Sequence, residues 1–507
     1  MADQSLFVPL AVLVACVAGS AGLFVTDRIR GHFLQKGFVD RPNEARKQQQ
    51  TAVAYGGGTA VLLAAVFAIF IVNGLSSRWT AGSLDPWPLS GLALAAVLMW
   101  AVGLYDDIYN MRGTTKLLWQ FVAACLVVLP GSGLVIERVA MLGTTFSLGY
   151  LGIPLAILWI LAAINSLNLL DGMDGLASSV GLLFSLTIGV MAICTGRWTE
   201  AIVAMALAGS LVGFLRYNWP PATIYLGDSG SMLIGLVLGA LSIRCEVKDA
   251  ASIAVAAPLA MFAIPLIDSA AAIVRRKFTG RSMYATDRGH IHHRLLTQGL
   301  TNRQALYLII GLCSITCFGA ILDVYFRKVQ FPFGAIAVGI VILILLSTRI
   351  FGNSELSLLN NRLGGLMRRI FPASTPRTAS VRLQGTLEWD RVWQGLLDTT
   401  SRFNLIHARM SLQLPDLHED FYATWRSRSR AKTEQRWTVD LPLTHKNRPI
   451  GMLSVIGVQD ETTVAPGLSE LSDFVEELEK QLGQIIEQER ERRATVRETV
   501  ALQPAIK

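Results

Sequence analysis

The sequence predicts a polytopic α-helical membrane protein of about eleven transmembrane helices, N-terminus outside and C-terminus cytoplasmic, ending in a small α+β soluble module. Three observations carry this. Of 507 residues, 52% are hydrophobic and only 16% charged. Apolar runs long enough to cross a ~30 Å hydrocarbon core as helices recur at a regular cadence, and past residue 350 the composition turns polar and Arg-rich. A soluble domain carries ~25% charged residues, so an ordinary cytosolic globule, a disordered chain and a secreted disulfide scaffold are excluded.

The apolar runs fall at about 5–25, 56–75, 87–105, 117–134, 148–164, 176–195, 198–215, 229–243, 251–274, 304–322 and 331–349. The first is expected to be retained as a span: no basic leader precedes it, and Asp3 is the only charged side chain before Asp27. Orientation follows from the basic residues of alternate loops. The loops at 27–50, 106–116, 216–228 and 275–303 hold six, two, one and seven Lys or Arg, sixteen in all, and the opposite side holds seven. The richer side should be cytoplasmic. The net charge of +8 is therefore read as topological, and no nucleic-acid partner is expected.

This division gives a membrane core over 1–350, an amphipathic helix and linker over 351–376, and a module over 377–507. Leu358, Leu359, Leu363, Leu366 and Ile370, interleaved with Arg362, Arg368 and Arg369, suit a helix lying on the inner leaflet. Beyond it the pattern predicts a helix near Leu387 to Arg402, a strand near Leu405 to Leu414 and a hairpin turning at His445 to Arg448. Leu468 to Arg497 reads as a long helix suited to pairing with a second copy in a homodimer.

Ionisable residues near membrane depth are costly, so their positions are informative. Five clusters fall on the predicted cytoplasmic face. Asp106-Asp107 ends the third span; adjacent carboxylates call for a cation or a basic neighbour. In Asn165-Ser166-Leu167-Asn168-Leu169-Leu170-Asp171-Gly172-Met173-Asp174-Gly175, the i, i+3, i+6 spacing of Asn168, Asp171 and Asp174 can present one amide and two carboxylates to a common point. Such an oxygen-rich set suits Mg²⁺ bound together with substrate phosphates. Arg216 to Ser231 contains Asn218 and ends in Gly227-Asp228-Ser229-Gly230-Ser231 before an apolar helix, a place suited to metal and phosphate. Asp287-Arg288-Gly289-His290-Ile291-His292-His293-Arg294 combines imidazoles with guanidinium groups and favours an anion such as a diphosphate over zinc. Asp40 to Gly58 adds Arg46-Lys47 and a flexible glycine run. The acidic clusters ask for a divalent cation and the basic ones for an anionic substrate, which together fit phosphoryl transfer to a lipid-borne phosphate. A secondary transporter would instead place its acids at mid-span within two repeats, which the sequence does not show.

These motifs, in this order and on one membrane face, resemble the polyprenyl-phosphate N-acetylhexosamine-1-phosphate transferases, in the superfamily of phospho-N-acetylmuramoyl-pentapeptide transferase. The likeness covers about 5–350 and leaves out the C-terminal module. His290-Ile291-His292-His293 resembles the branch that uses simple UDP-N-acetylhexosamines; the muramoyl-pentapeptide branch, the alternative, carries a different His-rich loop. The resemblance implies undecaprenyl phosphate and a UDP-N-acetylhexosamine as substrates, Mg²⁺ or Mn²⁺ as cofactor, UMP as product, and a site on the cytoplasmic face of the inner membrane. It makes Asp228 the leading metal ligand with Asp107 and Asp171 beside it. Asp106 becomes the candidate base, though a phosphate with a second pKa near ~6 hardly needs one. Asn168 and Asp174 would serve the nucleotide, Arg288, His290, His292 and His293 the diphosphate and sugar, and Asn218, in the matching stretch, would also bind substrate. Relatives commonly carry Arg-Lys-x-His and then a Pro before the glycine run. Here Gln49 and Ala54 stand at those places, leaving Lys47 as the implied phosphate contact.

Overall fold

In the computed structural model, the described residues are 7–40, 52–79, 87–128, 134–136, 138–141, 144–245, 256–279, 287, 289–326, 329, 331–348, 377–384, 387, 389–398, 403, 405–414, 417, 419–427, 436–446, 448–458 and 468–501. The chain divides into two compact units, Met1–Ala270 with Gln298–Ile350, and Ala271–Thr297 with Phe351–Lys507. The segment Ala271–Thr297 is thus part of the second unit.

The first unit contains α1 (Phe7–Lys36), the paired two-residue strands β1 (Val39–Asp40) and β2 (Val53–Ala54), α2 (Gly57–Trp79), α3 (Trp87–Tyr109) and α4 (Gly113–Val128). The hairpin strands β3 (Arg138–Met141) and β4 (Thr144–Ser147) follow, then α5 (Gly152–Leu170), α6 (Leu176–Cys194), α7 (Trp198–Asn218) and α8 (Gly227–Arg244). Next come α9 (Ala256–Met261), the start of α10 (Ala263–Thr279), α12 (Asn302–Tyr325) and α13 (Phe333–Ser347). Among the described residues seven helices are long and apolar enough to cross a membrane, α1, α2, α3, α5, α6, α7 and α12, with α4 and α13 as shorter apolar helices. This is a multi-pass membrane architecture. The run at 251–274, read as one span, is interrupted between α9 and α10. Pro265 has no N–H to give the carbonyl of Met261, four residues back, so the helical ladder breaks there.

α8 is buried along nearly its whole length, Ser229 to Ile243. That is possible because neighbouring backbones come very close. A Cβ built on Gly103 of α3 would lie 2.5 Å from the Ser229 Cα, and one on Gly58 of α2 would lie 2.3 Å from the Gly230 backbone nitrogen. The glycine run before α2, read from sequence as flexible, is therefore a packing surface. Gly57 and Gly58 donate backbone N–H groups to the Tyr225 and Leu226 carbonyls at 3.0 and 3.1 Å. Small residues at helix contacts allow this approach in lipid, where packing rather than hydrophobicity drives association. Gly103→Val should cost about 3 kcal/mol or more through overpacking. Its yield and unfolding temperature in detergent should fall, whereas Gly31→Ala, with open space at the added methyl, should leave both unchanged.

At the far end of α7 and α8, Glu200 and Arg244 form a largely buried pair at 2.8 Å. The Trp159 indole of α5 donates to the Gly239 carbonyl and the Ser242 hydroxyl, both at 3.1 Å. These contacts hold α5, α7 and α8 in register below the site.

In the second unit, α10 leads toward α11 (Ile291–Thr297). The C-terminal residues form a five-stranded antiparallel sheet in the order β5 (Arg377–Gln384), β7 (Glu419–Arg426), β6 (Leu405–Leu414), β9 (Arg448–Val458), β8 (Arg436–His445). Helices Trp389–Asp398 and Leu468–Ala501 cover one face, where Trp389, Trp393, Leu478, Leu482 and Ile486 pack on Met410, Leu412, Phe421 and Leu453. The hairpin turns at Lys446, which has φ +49°. The sequence had not shown β5 and β7. The amphipathic helix expected over Leu356 to Phe371 and the linker Pro372 to Pro376 lie outside the described residues.

Candidate active site

The N-terminus of α8 is the centre of the site. Its N-cap, Leu226, offers no side-chain acceptor, and the cap comes instead from α3. The Asp107 carboxylate accepts from the backbone N–H groups of Asp228 (2.7 Å) and Ser229 (3.2 Å). A carboxylate there satisfies otherwise unpaired N–H groups and faces the positive end of the helix. Gly227 has φ +71°, and a Cβ on it would fall 2.6 Å from the Asp107 Oδ2. Only glycine admits both that backbone and that carboxylate.

Asp228, thus positioned, accepts from the Asn168 side-chain amide at 2.7 Å through Oδ1, and its Oδ2 pairs with the Lys116 ammonium of α4. Lys116 also pairs with Oδ2 of Asp106, whose other oxygen accepts from the Met111 backbone N–H. One ammonium therefore bridges two acids from different helices. A turn further along α4, the buried Gln120 accepts from Asn165 at 2.8 Å, while Asn168 also donates to Ser231 at 3.0 Å. The faces of α4 and α5 that carry Lys116, Gln120, Asn165 and Asn168 are thereby locked to α8.

Asp171 follows α5 and accepts a backbone hydrogen bond from Gly227. Burial, then the charges of Asp228 and Asp107, hold its carboxyl well above the usual carboxylate range. Asp174 lies in the next turn and accepts from the Ala222 backbone N–H at 3.0 Å. Buried Asn218 accepts from the Ser178 hydroxyl at 2.7 Å and donates to the Ile224 carbonyl at 2.9 Å. Arg303 at the start of α12 donates twice to the Pro220 carbonyl, at 3.2 and 3.0 Å. Asp174, Asn218 and Arg303 thus shape the loop that delivers α8 to the site. β2 joins the same loop: the Ala54 carbonyl accepts from the Tyr225 N–H at 2.9 Å, a bond that a proline at position 54 could also make. Tyr55 is hydrogen-bonded to Asp40, and its phenol is pushed up to about 12 by burial, with Asp40 and Asp107 adding to the effect.

The structure therefore brings Asp106, Asp107, Asn168, Asp171 and Asp228 together and gives Asp174 and Asn218 partners in the adjoining loop. Lys47 and Arg288 lie outside the described residues. Sequence reading had not singled out Lys116. In the sequence it is one of the two basic residues of the loop at 106–116, and its place at the start of an apolar helix is a signal.

His290, His292 and His293 belong to the second unit, around the start of α11, with His290 and His292 buried. Arg275 donates to Oδ2 of Asp287 through Nε (3.1 Å) and Nη2 (2.8 Å), and the other Asp287 oxygen accepts from the Gly289 N–H at 2.8 Å. Burial alone would raise the Asp287 carboxyl; Arg275 holds it below the usual range. Arg294 closes the loop on the Gly289 carbonyl at 3.1 Å.

Among the described residues no three acids or imidazoles converge as a ready-made metal cage. Mg²⁺ does not need one, since it is commonly held by one or two carboxylates together with waters and substrate phosphates. The all-oxygen donors fit such an ion, as do the burial of Asp171 and the charges of Asp228 and Asp107 beside it.

The family model described as glycosyl transferase family 4 matches residues 89–246, a range containing Asp106, Asp107, Lys116, Asn168, Asp171 and Asp228. The chain is 30% identical over 297 residues to the probable undecaprenyl-phosphate N-acetylglucosaminyl 1-phosphate transferase of Bacillus subtilis, covering 58% of this chain and 80% of the relative. It is 32% identical over 353 residues to the decaprenyl-phosphate N-acetylglucosaminephosphotransferase of Mycolicibacterium smegmatis, covering 65% and 86%. The undecaprenyl-phosphate alpha-N-acetylglucosaminyl 1-phosphate transferase of Yersinia pestis is 28% identical over 298 residues, covering 57% and 77%.

Proposed function

The chain belongs to the glycosyl transferase family 4 enzymes that pass N-acetylglucosamine 1-phosphate to a polyprenyl phosphate, and on that premise we propose that it uses UDP-N-acetylglucosamine and undecaprenyl phosphate at the α8 N-terminus. Its transfer makes the lipid-linked first sugar of a cell-envelope polymer. The observation that carries the reading is the bridge from Asp106 through Lys116 to Asp228, set on a helix end capped by Asp107.

In the reaction an oxygen of the lipid phosphate attacks the sugar-bearing phosphorus. A new P–O bond forms, the bond to the bridging oxygen breaks, and that oxygen leaves with its electron pair on UMP. The lipid phosphate is already mostly dianionic near neutral pH, its second pKa being ~6. The chain's residues therefore act mainly by orientation and charge. We assign Asp228, with Asp107 and Asp171, to hold Mg²⁺ or Mn²⁺, which when bound neutralises charge on the transferring and leaving phosphates. Lys116 supplies a second positive charge beside the reacting oxygens, and Asn168 fixes the Asp228 rotamer. We assign the nucleotide end to the Asp174 loop and the diphosphate and sugar to Lys47, Arg288, His290, His292 and His293. The charge asymmetry of the loops supports a cytoplasmic site in the inner membrane.

Purified protein given labelled undecaprenyl phosphate and a panel of UDP-sugars tests this. The expected result is lipid diphosphate sugar and UMP, with UDP-N-acetylglucosamine preferred at least tenfold over its C4 epimer, roughly the range one polar contact in a pocket supplies. Release of UDP instead of UMP would mean transfer of the sugar alone and would sink the reading.

A further inference from the structure

Among the described residues, helices cover one face of the sheet of the C-terminal module and none covers the other, where Tyr422 alone is buried, opposite Ser411. Strand register places His407, Arg409 and Ser411 of β6 on that second face, beside Thr424 and Arg426 of β7, Ser454 and Ile456 of β9 and Thr438 of β8. Arg409 and Arg426 are exposed, and among the described residues neither has a carboxylate partner. Arg377 of β5 stands opposite Arg426 in register. Asp440 shares Arg409's row but sits two strands away, ~10 Å, and Asp420 lies six residues along β7 from Arg426, ~20 Å. The His407 imidazole is held below its ordinary value by burial and by Arg409 and Arg426, so the cluster repels further positive charge. Met452 is 45% exposed on the same face.

We propose that this sheet face, centred on Arg409, Arg426 and His407, docks on the anionic headgroups of the bilayer that holds the chain's own helices. Guanidinium groups match phosphate oxygens by bidentate hydrogen bonding. An exposed methionine beside them suits the boundary between headgroups and acyl chains, where basic and apolar groups act together. Continuity favours this occupant over a soluble one. Residues 348–376 alone separate α13 from β5, so the bilayer is present at high effective concentration whatever path the tether takes. The tether itself carries Arg349, Arg362, Arg368 and Arg369 among leucines. A face that meets lipid also accounts for a sheet side that no described helix covers.

The test uses the full-length protein in nanodiscs of phosphatidylcholine alone or mixed with phosphatidylglycerol, with photo-crosslinking benzoylphenylalanine at exposed Thr438. The expected result is cross-linking to phosphatidylglycerol in the mixed discs only, cut at least about fivefold by Arg409→Glu with Arg426→Glu. Arg409→Gln with Arg426→Gln, at an unchanged unfolding temperature, should also lose it, which separates lost docking from misfolding. Equal cross-linking in both disc types, or cross-linking that survives charge reversal, overturns the proposal. Loss of the cross-link on adding millimolar UMP or inorganic phosphate overturns it in favour of a soluble phosphate ligand.

Discussion

Asp228→Asn is expected to lower UMP release by about a hundredfold or more, the scale lost when one electrostatic contact to a developing charge is removed, while the protein stays folded. The two halves of that expectation rest on different atoms. Folding at this point depends on the backbone: Asp107 caps the N–H groups of residues 228 and 229, and an asparagine leaves both in place. Function depends on the side chain, whose two oxygens are shared between Asn168 and Lys116. An amide at this position presents one oxygen and no charge. It weakens any divalent ion and leaves Lys116 with Asp106 alone. Mn²⁺ binding followed by electron paramagnetic resonance should weaken in parallel with turnover. Normal Mn²⁺ affinity with lost activity would remove Asp228 from the metal site, and unchanged turnover would remove it from the reaction.

Asp107→Asn should behave differently, although the resemblance places Asp107 beside Asp228 as a metal ligand. Asp107 is a tertiary cap, and the amide keeps only one good acceptor for two N–H groups. Loss of a cap is worth ~1 kcal/mol. A lower unfolding temperature should therefore accompany its activity loss, in contrast to Asp228→Asn.

That contrast shows which information was local. The Asn168, Asp171, Asp174 spacing and the Gly-Asp-Ser-Gly-Ser end of a loop are written in consecutive residues, and each falls in or beside the site. The amphipathic alternation of Leu405 to Leu414 likewise marked a strand, because one face of it is buried. Partners distant in sequence were not legible. Caps are ordinarily sought at the helix's own first residue, whereas Asp107 reaches α8 from α3. The i, i+6 reading aimed Asp174 at a common point with Asn168, but the turn at 171–175 directs it to Ala222. The glycines before α2 looked like freedom because the backbone they meet belongs to another helix. Strand β7 was hidden by its opening Glu419-Asp420. Glu419 is buried as an acceptor for the Trp389 indole at 2.9 Å, which no local pattern announces.

Lys116 was the largest omission, and its replacement gives the other large effect. Lys116→Met should reduce turnover by about a hundredfold or more while tightening divalent-ion binding by roughly tenfold, two changes of opposite sign. Without the ammonium, Asp106 and Asp228, whose side chains also hydrogen-bond each other, lose the cation that pairs with both. Two unit charges ~4 Å apart interact by about 4 kcal/mol at an effective dielectric of ~20. A third of that, ~1.4 kcal/mol, is a factor of ten in a binding constant. Lys116 therefore competes with Mg²⁺ for Asp228, and its removal should lower the Mg²⁺ concentration at half-maximal activity. The unfolding temperature of the variant should also become dependent on Mg²⁺, because the ion now supplies the only positive charge between the two acids. Turnover still falls, since the same ammonium is the group that can turn toward substrate phosphate once a metal takes its place. Lys116→Arg keeps the charge, but its rigid planar fork differs from a compact ammonium held between two carboxylates, so it should restore the Mg²⁺ response more fully than the rate. Weaker Mg²⁺ binding in Lys116→Met would show that the lysine supports the metal site instead of competing for it, and unaltered turnover would take it out of the chemistry altogether.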